Sequence, residues 1–302
     1  MFDGVHRGHQ ALVEAARLAV GREGTVVAMT FDPNPAEVLR KPDGGDSPAQ
    51  RLTSVQRREA LLLAAGADQV QVIAVDRAFL DQSAEVFLQT HVLPHQPTVL
   101  VEGADFRFGK GRSGDLDLLR ASGGTHGWSV EMVDECTATL GDGVQVPVRS
   151  SMVRWLLLAG RVREAGTLLG RAFVLDGPVC KGAQRGRLLG VPTANVATSD
   201  LLVPLDGVYA GVGVLPDGQR VPAAISIGTN PTFGDEHRSV EAHLLDFNGA
   251  IDDYGWTLEL ELHRWLRDQV ACSDTDALLA LIHRDIEAVR AACSLADYAF
   301  AP

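Results

Sequence analysis

Over the first half of the chain, short apolar runs alternate with stretches of helical period. "TVVAMTF" (25–31), "QVQVIAV" (69–75), "TVLVEG" (98–103) and "WSVEMV" (128–133) predict strands, each followed by turn residues. Between them the apolar spacing predicts helices: one from about His9 to Val20, stopped by Gly21, and one from Thr53, where Gln56 three residues on completes a capping box. Further helices are predicted near 83–92, 114–121, 150–159 and 162–169. Strands separated by helices are the rhythm of a parallel α/β sheet.

After about Gly170 the period shortens. "AFVLDGPVC", "GVYAGVGVL", "RVPAAISIG", "SVEAHLLDF" and "WTLELELHRWL" read as strands divided by turns, and the alternation in the last predicts one buried and one wet face. So many strands in about a hundred residues predict an all-β barrel or sandwich. A helix from about Asp274 to Ala292 follows, with Leu278, Leu279, Ile282, Ile286 and Val289 on one face. The loop-like stretch "RKPDGGDSPAQR" (40–51) stands out as the least patterned part of the chain.

Composition narrows the function. With 302 residues, 46% of them hydrophobic, the chain can bury a large core, and its length favours two domains over one. No apolar run is long enough to span a bilayer and the first residues lack a signal-peptide pattern, so a cytoplasmic, membrane-free protein is expected. The four cysteines show no Cys-x-x-Cys spacing, so free thiols are expected rather than zinc or disulfides. A net charge of −12, from 27 basic and 39 acidic residues, argues against nucleic acid as a partner. Only three of the 27 basic residues are lysine, which leaves any phosphate clamp to arginine and backbone amides.

Two places carry chemistry. His6 and His9 flank Arg7-Gly8 at the entry to the first helix, where unpaired amides and the helix dipole favour an anion. Taken alone the pair reads first as loop histidines, and no His-Glu-x-x-His spacing supports zinc. The second place is "CKGAQRGRLLGVPTANVATSD" (180–200), a glycine loop with Lys181, Arg185 and Arg187 leading into Pro192-Thr193-Ala194-Asn195. It is not a Walker loop, and its glycines alone read as an ordinary turn.

The motifs together change both readings. "FDGVHRGH" (2–9), "TFDPNPAEVL" (30–39), "FRFGKGRSGD" (106–115), "SSMVRWLLLAGRV" (150–162), "LLGRAF" (168–173) and the Pro-Thr-Ala-Asn segment resemble, in order, the landmarks of the bacterial bifunctional riboflavin kinase/FAD synthetase family. The resemblance implies a Rossmann-like FMN adenylyltransferase domain over 1–167 and a riboflavin-kinase β-barrel with a terminal helix over 168–302. It implies that ATP phosphorylates riboflavin to FMN in the second domain and adenylylates FMN to FAD in the first.

Site roles follow by position in the motifs. In the first domain the resemblance implies His6, His9 and Arg154 as catalytic groups, with Gly8, Ser150 and Ser151 binding ATP. In the second it implies Glu241 as the base for the ribityl 5′-hydroxyl, and Gly182, Arg187 and Tyr254 as nucleotide contacts. It places Arg267 on the flavin, and Thr193 and Asn195 on nucleotide-bound Mg2+. Riboflavin, FMN and FAD are then substrate, intermediate and product.

The sequence departs from the family pattern at several points. Met152 replaces a threonine in Ser-Ser-Thr-x-x-Arg, Asn34 a histidine in Phe-Asp-Pro-His-Pro, and Asp105 an asparagine before Phe-x-Phe-Gly. Val270 and Cys272 replace a lysine and a phenylalanine after the Leu-Arg of the flavin segment, which predicts weaker flavin binding. Met1 stands where the family has the valine that closes a preceding strand, so a truncated or mis-called start is expected, with exposed strand edges and a looser histidine site. Three other readings compete: a kinase alone with an impaired adenylyltransferase domain, a flavin or nucleotide binder without turnover, and an adenylyltransferase for another phosphate ester.

Overall fold

The computed structural model describes residues 1–39, 51–198, 200–229, 238–247, 249 and 253–294, with side chains given as far as Ala292. All but the last residue of the loop-like stretch 40–51 lies outside them. Helices are α1 Arg7–Val20, α2 Pro35–Val38, α3 Val55–Ala64, α4 Arg77–Leu80, α5 Ala84–Phe87, α6 Leu116–His126, α7 Ser150–Leu158, α8 Val162–Leu169, α9 Arg185–Leu188 and α10 Thr275–Ser294. Strands are β1 Val27–Asp32, β2 Gln69–Ala74, β3 Val99–Gly103, β4 Ser129–Val133, β5 Thr137–Thr139, β6 Gln145–Pro147, β7 Phe173–Cys180, β8 Ala194–Val196, β9 Gly207–Val214, β10 Arg220–Gly228, β11 Ser239–Leu244 and β12 Thr257–Arg267. Contacts divide the chain into one unit of Met1–Arg51 and Val55–Thr137 and a second of Leu52–Ser54 and Ala138–Pro302.

In the first unit the parallel pairing is present, as two pairs. β1 pairs with β2 and β3 with β4, each parallel, and the pairs are joined through side chains: Met29, Phe31 and Ile73 from one and Leu100 and Val130 from the other meet around Phe87, Phe108 and Leu119. Arg58 of α3 is buried beneath them; it donates to the Phe31 carbonyl at 2.9 Å and to Thr30 Oγ1 at 3.2 Å, and stands 3.9 Å from the buried Asp3 carboxylate. That guanidinium ties the Phe-Asp-Gly turn to the end of β1.

Two helices differ from their predicted course. Residues 83–92 form one turn of α5 and then a wider π turn over Leu88–Val92, in which the Leu93 amide reaches the Leu88 carbonyl; Pro94, without an amide, does not extend the ladder. α6 runs past its predicted end near residue 121 and stops at Gly127, whose φ is 90°. Gly123 is needed there, since a Cβ would sit 2.4 Å from the Trp128 carbonyl; the gap lets α6 close onto β4.

The second unit holds a closed barrel in the order β10-β11-β8-β7-β12-β9. Its interior is the apolar half of each alternation: Ala223, Ile225 and Ile227 of β10, Val240 and Ala242 of β11, Leu258, Leu260 and Leu262 of β12. Closure removes the free edges an open sheet would leave. α10 covers the outer face beside β9, burying Val289 and Ala292 against Ala210 and Leu245, so β9 is enclosed on both sides. β12 carries register shifts between Leu262 and Arg264 and between Trp265 and Arg267. An added residue reverses which face the next side chain takes, and the second shift separates the surroundings of Trp265 and Arg267.

Acid stability of this barrel turns on one carboxylate. Burial alone would push Glu261 up, but hydrogen bonds from His263 and Arg220 hold it down to about 2 from an ordinary 4.5. A depressed folded value means stability that is full above about pH 4.5 and lost as pH falls toward 2. Glu261→Gln is expected to cost about 2 kcal/mol at pH 7 and about 0.5 kcal/mol at pH 2.5, read from denaturant melts at both pH values.

Candidate functional sites

In the first unit the histidine pair sits where a helix begins. Gly4 and Val5 have φ of 82° and 39°, a left-handed turn that a β-branched residue enters only under strain. Packing holds it: Val5 is buried with Val13, Ala28 and Leu62. The turn delivers His6 to the N-cap of α1, where its Nδ1 accepts from the His9 amide at 3.4 Å. The two imidazoles then stack, centroids 3.6 Å apart and 16° from parallel. Gly8 lies between them in the first turn, so amides, the dipole and two imidazoles share one helix end. Ser150, Ser151 and Arg154 lie in the first turns of α7, in the second unit.

The barrel's site is built on its outer wall. β8 pairs with β11 so that Asn195 faces Glu241 and Ala194 faces Ala242; with side chains alternating, Thr193, Asn195, Glu241 and His243 share one face as a two-by-two array. Thr193 Oγ1 donates to Glu241 Oε2 at 3.0 Å and Ser239 Oγ to Glu241 Oε1 at 3.1 Å. The carboxylate is thereby aimed, with a hydroxyl on each oxygen. Over this array runs the glycine loop, with Gly182 so close that a Cβ would fall 2.2 Å from the Asn195 side-chain amide. Gly186 meets the Val191 carbonyl just as closely, and Gln184 ties the loop to Tyr254, its Nε2 donating to the phenol oxygen at 2.8 Å.

A cavity leads from this array toward α10. Its polar end has Arg185, Thr193 and Glu241; its other end has Arg267, Gln269, Leu278 and Ile282. Arg267 is clamped by the buried Asp285 of α10, donating through Nε at 3.0 Å and Nη2 at 2.6 Å, while Gln269 donates to Ser226 Oγ at 2.9 Å. Of the expected kinase residues, Thr193, Glu241 and Arg267 line the cavity; Asn195 and Gly182 touch each other but are not part of its wall, and Tyr254 is joined to the lining residue Gln184 by a hydrogen bond. Arg187, on α9, is not part of the wall, which its neighbours Arg185 and Gly186 form.

Sequence reasoning missed His243, Ser226, Gln269 and Asp285. For His243 a signal existed: it stands two residues after Glu241 on a strand, and so on the same face. Leu278 and Ile282 belong to the apolar helix face that the sequence predicts, but that face is divided. Its first half walls the cavity and its second half packs on the barrel. With Asp285 removed, Arg267 would keep its charge in a half-buried place, so Asp285→Ala is expected to destabilise the fold by about 3 kcal/mol, measured by denaturant melts.

The donors present fit Mg2+. Thr193 and Asn195 offer neutral hard oxygens, and the close approach of Gly182 to Asn195 leaves a cradle that a side chain would fill. Among the described residues no three His, Cys, Asp or Glu side chains gather as a metal site. No helix among the described residues is long and apolar enough to cross a membrane.

Comparison with known proteins covers both halves. A FAD synthetase family model matches residues 1–144 and a riboflavin kinase model matches residues 169–293. The chain is 36% identical over 288 residues to the bifunctional riboflavin kinase/FMN adenylyltransferase of Escherichia coli K12, covering 94% of this chain and 88% of that one. The enzyme of the same name from Pseudomonas fluorescens is 37% identical over 295 residues, with 96% and 90% covered. A crystal structure described as a macrolide-efflux protein from Streptococcus pneumoniae superposes with a TM-score of 0.83 at 29% identity, over 96% of this chain and 91% of that one. With a histidine-capped helix in one unit, a Thr-Asn-Glu array on a closed barrel in the other, and relatives matched nearly end to end, the chain belongs to the bifunctional riboflavin kinase/FMN adenylyltransferase family.

Proposed function

We propose that residues 168–302 transfer the γ-phosphoryl group of ATP to riboflavin and that residues 1–167 join the resulting FMN to the AMP part of a second ATP. The observation that supports this most is the aimed carboxylate: Glu241, held by Thr193 and Ser239 at one end of a cavity whose other end sets Leu278 and Ile282 beside Arg267 and Gln269. Riboflavin fits that arrangement. Its ring would lie toward Leu278 and Ile282 with Arg267 as a polar contact, and its ribityl 5′-hydroxyl would reach Glu241. The carboxylate accepts the hydroxyl proton as the oxygen attacks the γ-phosphorus, and ADP leaves. Gly182 and Arg187 of the glycine loop, with Tyr254, take the nucleotide. Thr193 and Asn195 would hold Mg2+, which when bound with ATP neutralises phosphate charge.

In the adenylyl transfer the FMN phosphate is itself the nucleophile. It attacks the α-phosphorus of ATP and pyrophosphate leaves, so the protein's task is alignment and charge stabilisation. His6 and His9, with the Gly8 turn of α1, donate to the phosphate oxygens. The part proposed for Ser150, Ser151 and Arg154 rests on their motif.

Purified protein given riboflavin, ATP and Mg2+ is expected to make FMN and then FAD, resolved chromatographically. FMN without FAD, even when FMN is supplied, would leave a kinase alone. No product of either kind would leave a binding protein.

A further inference from the structure

We propose that His243 is a positioning residue for the phosphoryl transfer, holding the Pro192-Thr193 segment so that the Thr193 hydroxyl stays on Glu241. The inference rests on the kinase reading above. His243 Nδ1 lies 2.8 Å from the Pro192 carbonyl. A carbonyl only accepts, so the imidazole carries its proton on Nδ1 and donates it.

The need for this bond comes from the shortness of β8. Its pairing with β11 ends at Ala194↔Ala242, and the next residues lie beyond the ladder. Thr193 would be followed outward by a proline, which has no amide to extend the pairing. The His243 side chain bonds where the backbone ladder stops. It comes from β11, the strand that carries Glu241, so the base and the segment bearing Thr193 are fixed to each other at two points: Thr193 to Glu241 at 3.0 Å and Pro192 to His243 at 2.8 Å. Val191, one residue further, bonds the glycine loop through its amide to Gly186 at 2.8 Å. Releasing Pro192 therefore loosens the base's partner and the loop's seat together. The flavin end, made by Arg267, Gln269 and α10, lies on other elements.

The side chain's role can be separated by isosteres. Asparagine places an amide N–H near the position of Nδ1, and glutamine places one near Nε2. His243→Ala is expected to lower kinase kcat by about 30-fold, with riboflavin KM within about twofold of wild type. His243→Asn should recover to within about threefold of wild-type kcat and His243→Gln should resemble alanine. Calorimetric titration with Mg2+ and ADP should follow the same order, weakened for alanine and glutamine and restored by asparagine. FAD formation from supplied FMN reports the integrity of the chain in each variant. Asparagine no better than alanine, glutamine better than asparagine, or a change in riboflavin KM in place of kcat would each overturn the inference. A wild-type protein that makes no FMN would overturn the kinase reading itself, and the inference with it.

Discussion

Glu241→Gln is expected to lower FMN formation by about 10³-fold and to leave FAD formation from supplied FMN unchanged. The amide keeps the shape of the carboxylate, so the barrel should fold as before, but it cannot take the ribityl proton. Its nitrogen would also face a hydroxyl that now donates to a carboxylate oxygen, Thr193 or Ser239, and either hydroxyl can rotate to accept. Riboflavin KM should therefore move little while kcat falls. Steady-state kinetics with FMN quantified chromatographically tests this, and an undiminished kcat for FMN formation would remove Glu241 as the base.

His6→Ala and His9→Ala are each expected to lower FAD formation from FMN by about 10²- to 10³-fold with FMN formation from riboflavin unaffected. The imidazoles stack, so each fixes its neighbour's orientation and the two effects should not add. The double variant is expected to be little worse than the poorer single one. His6→Ala carries a further cost of about 1 kcal/mol in stability, because the same ring caps α1. A single variant with undiminished FAD synthesis would take that histidine out of the reaction.

Much of this was legible because the period of a strand is short and its burial regular. The alternation in β10, β11 and β12 marks their inward residues one by one, and the barrel interior is the set so marked. The helical stripe of α10 was equally plain. What escaped depends on contacts between distant segments. The continuation of α6 through Gly123 is set by Trp128, and no helix propensity records it. The short hairpin of β5 and β6 lacks the apolar length that announces a strand. Asp285 is a helix carboxylate like any other until the β12 register shift brings Arg267 to it. The motifs identified Thr193, Asn195 and Glu241 as chemistry-bearing; that they form one array follows from the β8–β11 register.

The division of α10 into a cavity wall and a barrel cover has a consequence for the order of events on the ribosome. The residues of the first unit through Thr137 are made well before the barrel, and domains made first fold first. Thr193, Glu241 and Arg267 emerge next, but the cavity lacks its far wall until Leu278, Ile282 and Asp285 follow. A nascent chain would thus carry a finished histidine-capped helix while its flavin cavity stood open, and riboflavin would gain its full contact only with a barrel whose α10 had docked. Flavin supply during synthesis should accordingly favour the completed barrel over every shorter intermediate, by mass action on the docked helix alone.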